Sequence, residues 1–210
     1  MEGKIYIQIG AGAGDLDTRA NCRDGFTEIV KGLSTAINRI VLVEPNPINI
    51  PLLTQCWKDY PQSFIYNIGI VPKNFGGGSS LDFYYCPLDR PHYQVASVKK
   101  EHVQKHYGVD CELQTFRVPV FQLEAFLAEA VPGGEEIELL ALDIEGLDAE
   151  IVLDIDFGSL NVKYLSFEHL HLGDNQDAVL KHLQSSNFQF VGSGVDHNGF
   201  DVLYINTNKK

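Results

Sequence analysis

Lys4-Ile5-Tyr6-Ile7-Gln8-Ile9-Gly10-Ala11-Gly12-Ala13-Gly14-Asp15 is the stretch that decides the fold of this chain. A run of β-favouring apolar residues that stops at a glycine cluster is the pattern of a strand buried on both faces of a parallel sheet. Working outward, Phe26, Ile29, Val30, Leu33 and Ile37 recur at helical spacing, with Asp24 placed to cap their N-terminus. Residues 40–43 form a second apolar run, closed by Glu44, Pro45 and Asn46. Leu52, Leu53, Cys56 and Trp57 predict another helix, and residues 64–70 a third strand. A βαβαβ order with crossovers of helix length requires a mostly parallel sheet with right-handed connections.

The alternation resumes after a break. Phe121, Leu123, Phe126 and Leu127 predict a helix, residues 137–142 a strand, and Leu147, Ile151, Val152 and Ile155 a helix. Residues 162–167 read as the next buried strand, 178–183 as a helix, and 188–191 and 202–205 as two closing strands. Without a linker or a repeat, residues 1–210 are expected to form a single doubly wound α/β domain. Residues about 71–113 interrupt the rhythm, with Gly76, Gly77, Gly78, Ser79 and Ser80 followed by Tyr84, Tyr85, His92, Tyr93, His102 and His106. They read as an insertion, either a covering lid or a β-hairpin with a surface helix.

Composition narrows the functions. The chain has 210 residues, 44% hydrophobic and 21% charged, with a net charge of −12. That sign is wrong for tracking a phosphate backbone, so nucleic acid is not an expected partner. No apolar run is long enough for a membrane span, and no signal-peptide pattern opens the chain. Cys22, Cys56, Cys86 and Cys111 are widely spaced, which predicts reduced, packed thiols in a cytoplasmic protein rather than a disulfide framework or a zinc knuckle.

In an open parallel sheet, ligands bind beyond the carboxyl ends of the strands where strand order reverses. Small residues at the exit of the first strand would let a nucleoside or carboxylate reach main-chain amides. A dinucleotide fingerprint asks for a third glycine where Asp15 stands, so the fit to a nicotinamide cofactor is poor. Glu44, at the end of the second strand, is placed for the two hydroxyls of a ribose, as suits a nucleoside without phosphates. Asn46 and Asn67 lie just past strand ends, where an amide can read a ribose hydroxyl or an adenine edge.

With these residues in view the chain resembles the FkbM-type methyltransferases, a class I branch that uses S-adenosylmethionine. The resemblance rests on Gly10-Ala11-Gly12-Ala13-Gly14-Asp15, on Val43-Glu44-Pro45-Asn46-Pro47, and on Leu142-Asp143-Ile144-Glu145-Gly146 followed by Phe167-Glu168-His169. It implies a Rossmann-like seven-stranded sheet with an antiparallel terminal hairpin, and methyl transfer to an oxygen of a small-molecule acceptor such as a sugar. It also implies a cofactor site of Gln8, Gly10, Ala11, Gly12, Gly14, Glu44, Asn46, Asn67, Ile68 and Asp143, with Ile68 against the adenine ring. Two features depart from the family: Gln8 stands where an acid is usual, and no covering segment precedes the first strand.

Residues 135–156 hold nine acids and no Lys or Arg. Most read as solvated faces, but Asp143 follows an apolar strand and should reach the cleft, with Glu145 beside it. Transfer to an alcohol needs alignment, exclusion of water and a base. Asp143, Glu145, Glu168 and His169 are the candidate catalytic residues, and His169 is the natural base, since imidazole exchanges protons near neutrality. His171 alternates onto the side of His169, and the two with Glu168 or Asp143 make an alternative divalent-ion site, although no metal is expected. The rival readings are an NAD-dependent oxidoreductase and a nucleoside-binding module without catalysis.

Overall fold

The computed structural model describes residues 3–16, 24–87, 95–196 and 199–209. In chain order, β1 (Lys4–Ile9) leads through a 3-10 turn (Gly14–Leu16) to α1 (Gly25–Gly32), β2 (Ile37–Val43), α2 (Ile50–Cys56) and β3 (Ser63–Tyr66). Next come β4 (Gly69–Val71), β5 (Ser80–Tyr85), β6 (Ala96–Ser97), α3 (Lys100–Tyr107) and β7 (Gln114–Gln122). The chain closes with α4 (Leu123–Ala130), β8 (Ile137–Leu142), α5 (Asp148–Asp154), β9 (Val162–Glu168), α6 (Gln176–Ser185), β10 (Phe188–Ser193) and β11 (Asp201–Asn206).

Seven strands form one sheet in the order β10-β11-β9-β8-β1-β2-β3. The five from β9 to β3 are parallel, and β11 runs against both its neighbours. This is the Rossmann-like arrangement with a reversed terminal hairpin. Ile5, Ile7 and Ile9 enter a core built with α4, α5 and α6, while Tyr6 enters a second core with Phe26 and Val30 of α1 and Leu53 and Trp57 near α2. The period-2 side-chain alternation of β1 thus separates two helical layers, and both faces must be covered because both are apolar.

Several boundaries differ from the sequence reading. The first helix stops at Gly32, and Ile37 opens β2 instead of closing the helix. The third strand is split: the Asn67 amide donates to the carbonyls of Glu44 (2.8 Å) and Pro45 (2.9 Å), and the chain leaves the main sheet there. Beyond the split, β4 joins a second sheet in the order β4-β7-β5-β6. Among the described residues of 71–113, β5 and β6 pair antiparallel and α3 follows, the hairpin-and-helix alternative, and Phe121 belongs to the nine-residue β7, not to a helix. Val71, Phe83, Val118 and Val120 form the small core of this sheet.

The thiol expectation is overturned for two of the four cysteines. Cys86 and Cys111 form a disulfide, with Cα atoms 6.7 Å apart, tying the end of β5 to the segment after α3. The expectation of a cytoplasmic protein loses the support it drew from reduced thiols. Cys56 is a buried free thiol, and Cys22, like His92 and Tyr93, lies outside the described residues. Among the described residues no helix is long and apolar enough to cross a membrane.

Candidate active-site cleft

Strand order reverses between β1 and β8, and a cleft opens over their carboxyl ends. It is open to solvent at its mouth and is lined from both sheets. Ile9, Gly10, Gly12, Val43, Glu44, Pro45, Asp143, Ile144 and Glu145 come from the main sheet, and Ile70, Phe83 and Ala96 from the second. Asp143 and Glu145 reach this cleft as expected. The walls from the second sheet were missed, because β4, β5 and β6 are assembled by pairings between distant segments.

The glycine loop is built differently from the expectation. The amides of Gly10 and Ala11 both donate to the carbonyl of Val43 at 2.9 Å, and the Gly12 amide donates to Glu44 Oε2 at 2.8 Å. These donors are used inside the protein and are not offered to a ligand. Gly10 is required for another reason: at φ +86° a Cβ would lie 1.9 Å from the carbonyl oxygen of Asp143. Its bareness lets the ends of β1 and β8 close against each other. Ala11 is buried in the second core, and Gly14 backs onto Cys56; neither lines the cleft.

Glu44 is buried and binds the loop to the next turn. Its Oε1 accepts from the Asn46 amide at 2.7 Å and from Asn49 Nδ2 at 3.2 Å. Desolvation pushes its pKa up to about 7 against these hydrogen bonds. Oε2, with one donor among the described residues, keeps an acceptor position. Asn46 and Asn67 are spent on the turn itself, Asn46 Oδ1 accepting from the Ile48 amide at 3.1 Å. Ile68 packs against the larger core instead of lining the cleft.

Gln8 is buried and its Nε2 donates to Asp24 Oδ1 at 2.9 Å. An acid therefore stands beside the position where the family carries one, although it comes from the N-cap of α1, where Asp24 also accepts from the Thr27 amide at 3.0 Å. Burial raises the Asp24 pKa to about 6.

The far side of the cleft is crowded with acids. Burial, then repulsion from Glu145, Asp148, Glu168 and Asp201, holds Asp143 well above the usual carboxylate range. Burial, reinforced by Glu168, pushes Glu145 up to about 7. Asp148 and Asp201 are also raised to about 7, chiefly by burial. Among the described residues, none that lines the cleft is Lys or Arg. Glu145 sits at φ +46°, a strained backbone for a residue with a side chain. Ser97 Oγ donates to its carbonyl at 2.8 Å, and Lys99 Nζ to that of Gly146 at 2.7 Å, so the second sheet clamps this turn.

The histidines are rearranged relative to the sequence reading. His169 is held against the carbonyl of Phe200 by its amide at 3.0 Å and by Nδ1 at 2.5 Å, and it does not line the cleft. Its place as a base is not supported by this geometry, nor is a metal pair with His171. Glu168 instead meets His171, Oε2 to Nδ1 at 2.9 Å, and Glu145 Oε2 meets His102 Nε2 at 2.9 Å. His102 and His106, one helical turn apart on α3, were legible as a pair by their spacing. Their meeting with His171 was not.

The fold and cleft define a class: an α/β protein with an acidic ligand cleft at its topological switch point. Within that class, the chain belongs to the methyltransferase FkbM domain family, whose profile matches residues 8–190. Its fold is similar to that of the methyltransferase FkbM from Methylobacillus flagellatus, with 15% identity and a TM-score of 0.50 over 97% of this chain and 43% of that one. The chain thus spans less than half the length of that protein. Weaker similarities include a human methyltransferase 10 domain containing protein, with 8% identity and TM-score 0.49 over 97% of this chain and 71% of that one. Another is a fibrillarin from Aeropyrum pernix solved with natively bound S-adenosyl-L-methionine, with 13% identity and TM-score 0.44 over 98% of this chain and 66% of that one. None of the curated proteins compared with the chain matches it. S-adenosylmethionine is the cofactor expected of the family.

Proposed function

We propose that this chain transfers a methyl group from S-adenosylmethionine to a hydroxyl oxygen of a small-molecule acceptor. The observation that carries this reading is the acidic cleft: Glu44, Asp143 and Glu145 line it, and among the described residues no Lys or Arg does. Such a lining favours a cationic ligand and repels a pyrophosphate, which argues against a dinucleotide. The cofactor fits the residues present. The spare acceptor position of Glu44 Oε2 suits a ribose hydroxyl, Ile9, Val43 and Ile70 offer apolar contact, and Asp143 suits the cationic end.

When bound, S-adenosylmethionine supplies an electrophilic methyl on a positively charged sulfur. The protein's part is to exclude water, align the acceptor and hold a proton. Glu145, raised to about 7 and at the cleft edge, has the acidity of a general base near neutrality. Its carboxylate would take the proton of the acceptor's hydroxyl as the methyl is transferred. His102 holds the Glu145 carboxylate in place. Asp143 orients the acceptor or cofactor from the floor, and Glu168 acts through the charge it adds to both acids.

Steady-state kinetics on Asp143→Asn test the assignment once an acceptor is in hand, with turnover expected to fall by about 10²-fold or more while binding of S-adenosylhomocysteine changes little. A wild-type rate would remove Asp143 from the mechanism.

A further inference from the structure

Beside the cleft, three imidazoles gather, of which the mechanism uses only His102, as the partner of Glu145. His102 and His106 lie four residues apart on α3, the spacing that sets two side chains one above the other on a helix face. His171 approaches from the segment after β9. Ring centroids are 4.9 Å apart for His102–His106, 4.9 Å for His102–His171 and 5.6 Å for His106–His171. One donor nitrogen from each can be chosen so that all three lie within 4.8 Å of one another.

We infer that His102, His106 and His171, with Glu145 as a fourth donor, form a binding site for a zinc-like transition-metal ion.

The packing around the trio supports this. A Cβ at position 146 would lie 2.5 Å from His102 Nδ1, so only a glycine there admits the ring, and it leaves Nε2 as the nitrogen His102 has to offer. That nitrogen is 2.9 Å from Glu145 Oε2, which sets a carboxylate oxygen beside it as a ready partner ligand. His171 Nδ1 is bound to Glu168 Oε2 at 2.9 Å, leaving Nε2 for the ion. A carboxylate behind a ligating histidine is the usual device for fixing its tautomer and orientation. Metal–nitrogen bonds of 2.0–2.1 Å in a tetrahedron separate donor atoms by roughly 3.4 Å, so the widest pair must close by up to about 1.4 Å, within reach of ring rotation.

The charge around the cluster points the same way. Glu145 and Glu168 set carboxylate oxygens against the rings of His102 and His171. Lys99 and Lys105 are the nearby cations, and Lys99 is engaged by the Gly146 carbonyl and by Glu150 at 2.7 Å. Three imidazoles and one carboxylate suit zinc and its neighbours, whereas magnesium and calcium favour oxygen donors. Because Glu145 also lines the cleft, a bound ion would lie beside the acceptor and would lower the pKa of its hydroxyl. That consequence rests on the proposed methyl transfer; the binding of the ion does not.

The test uses the full chain, stripped with chelator and dialysed against Zn²⁺ and separately against Mg²⁺, with metal content read by mass spectrometry. Wild type is expected to retain a single zinc and no magnesium, and Co²⁺ in its place to show the strong visible absorption of a tetrahedral site. His106→Ala and His171→Ala are each expected to weaken zinc by about 100-fold or more, with unchanged circular dichroism and unchanged binding of S-adenosylhomocysteine. A wild-type chain that dialyses to no bound zinc overturns the site even if the variants misfold. Variants that hold zinc as tightly as wild type overturn the ligand assignment. A chain that binds zinc but not S-adenosylhomocysteine supports the metal site and sinks the methyl-transfer reading alone.

Discussion

Glu44 joins three functions in one side chain: it closes the glycine loop through Gly12, caps the turn at Asn46 and Asn49, and presents its remaining acceptor position to the cleft. Truncating it removes a charge-assisted partner of the cofactor, and Glu44→Ala is expected to weaken S-adenosylhomocysteine by about 1–3 kcal/mol in calorimetry. Unchanged affinity would mean that the ribose is held elsewhere. Gly10→Ala forces a methyl against the Asp143 carbonyl at a backbone angle that side chains rarely adopt. Overpacking of this kind costs about 1–3 kcal/mol or more, to be read as a lower urea midpoint, and a variant of wild-type stability would show that the β1 and β8 ends are not in contact. At this scale the places of Glu44 and Asp143 were legible because each directly follows an apolar strand of an open parallel sheet, with Glu145 in the turn just beyond. The engagement of the loop amides was not, because it depends on the Val43 carbonyl, which only the β1–β2 register brings into place. His169 looked like a base by type and position, but the β9–β11 pairing carries it toward Phe200.

Among the elements, the parallel strands were readable because they are continuous apolar runs separated by helix-length crossovers. The second sheet was not, since β4 pairs with a strand about fifty residues later and β7 turns alternate polar side chains outward. Its strands are short, and a disulfide between residues 25 apart in sequence supports them. The chain-entropy cost of a loop that long predicts that Cys86→Ser lowers stability by about 3–4 kcal/mol. Thermal unfolding of the variant, or of the wild type under reductant, checks this; an unchanged transition would show that the bridge does not constrain the unfolded chain. The same substitution is expected to weaken S-adenosylhomocysteine less than Glu44→Ala does, because among the described residues only Ile70, Phe83 and Ala96 of this sheet reach the cleft.

Across the whole molecule, folding gathers acids from five segments around one cleft, and this leaves a pH signature. Burial raises Asp24 to about 6 and Glu44, Asp148 and Asp201 to about 7. Each binds its proton more tightly folded than unfolded, so its contribution falls as pH rises from about 4 to about 7. His102, lowered to about 4, and His106 act in the opposite direction, but they are two groups against four. The metal-free, ligand-free protein is therefore expected to melt at a higher temperature near pH 5 than near pH 7.5 by scanning calorimetry, and the reverse order would mean that the cleft acids are solvated or paired. A cationic ligand relieves the same repulsion. The central claim, an acidic switch-point cleft built for the nucleoside cofactor of methyl transfer, is tested most directly by isothermal titration of the full chain at neutral pH with S-adenosylmethionine, S-adenosylhomocysteine and NAD. The account predicts saturable binding of the first two at one site and none of NAD; binding of NAD alone would contradict it.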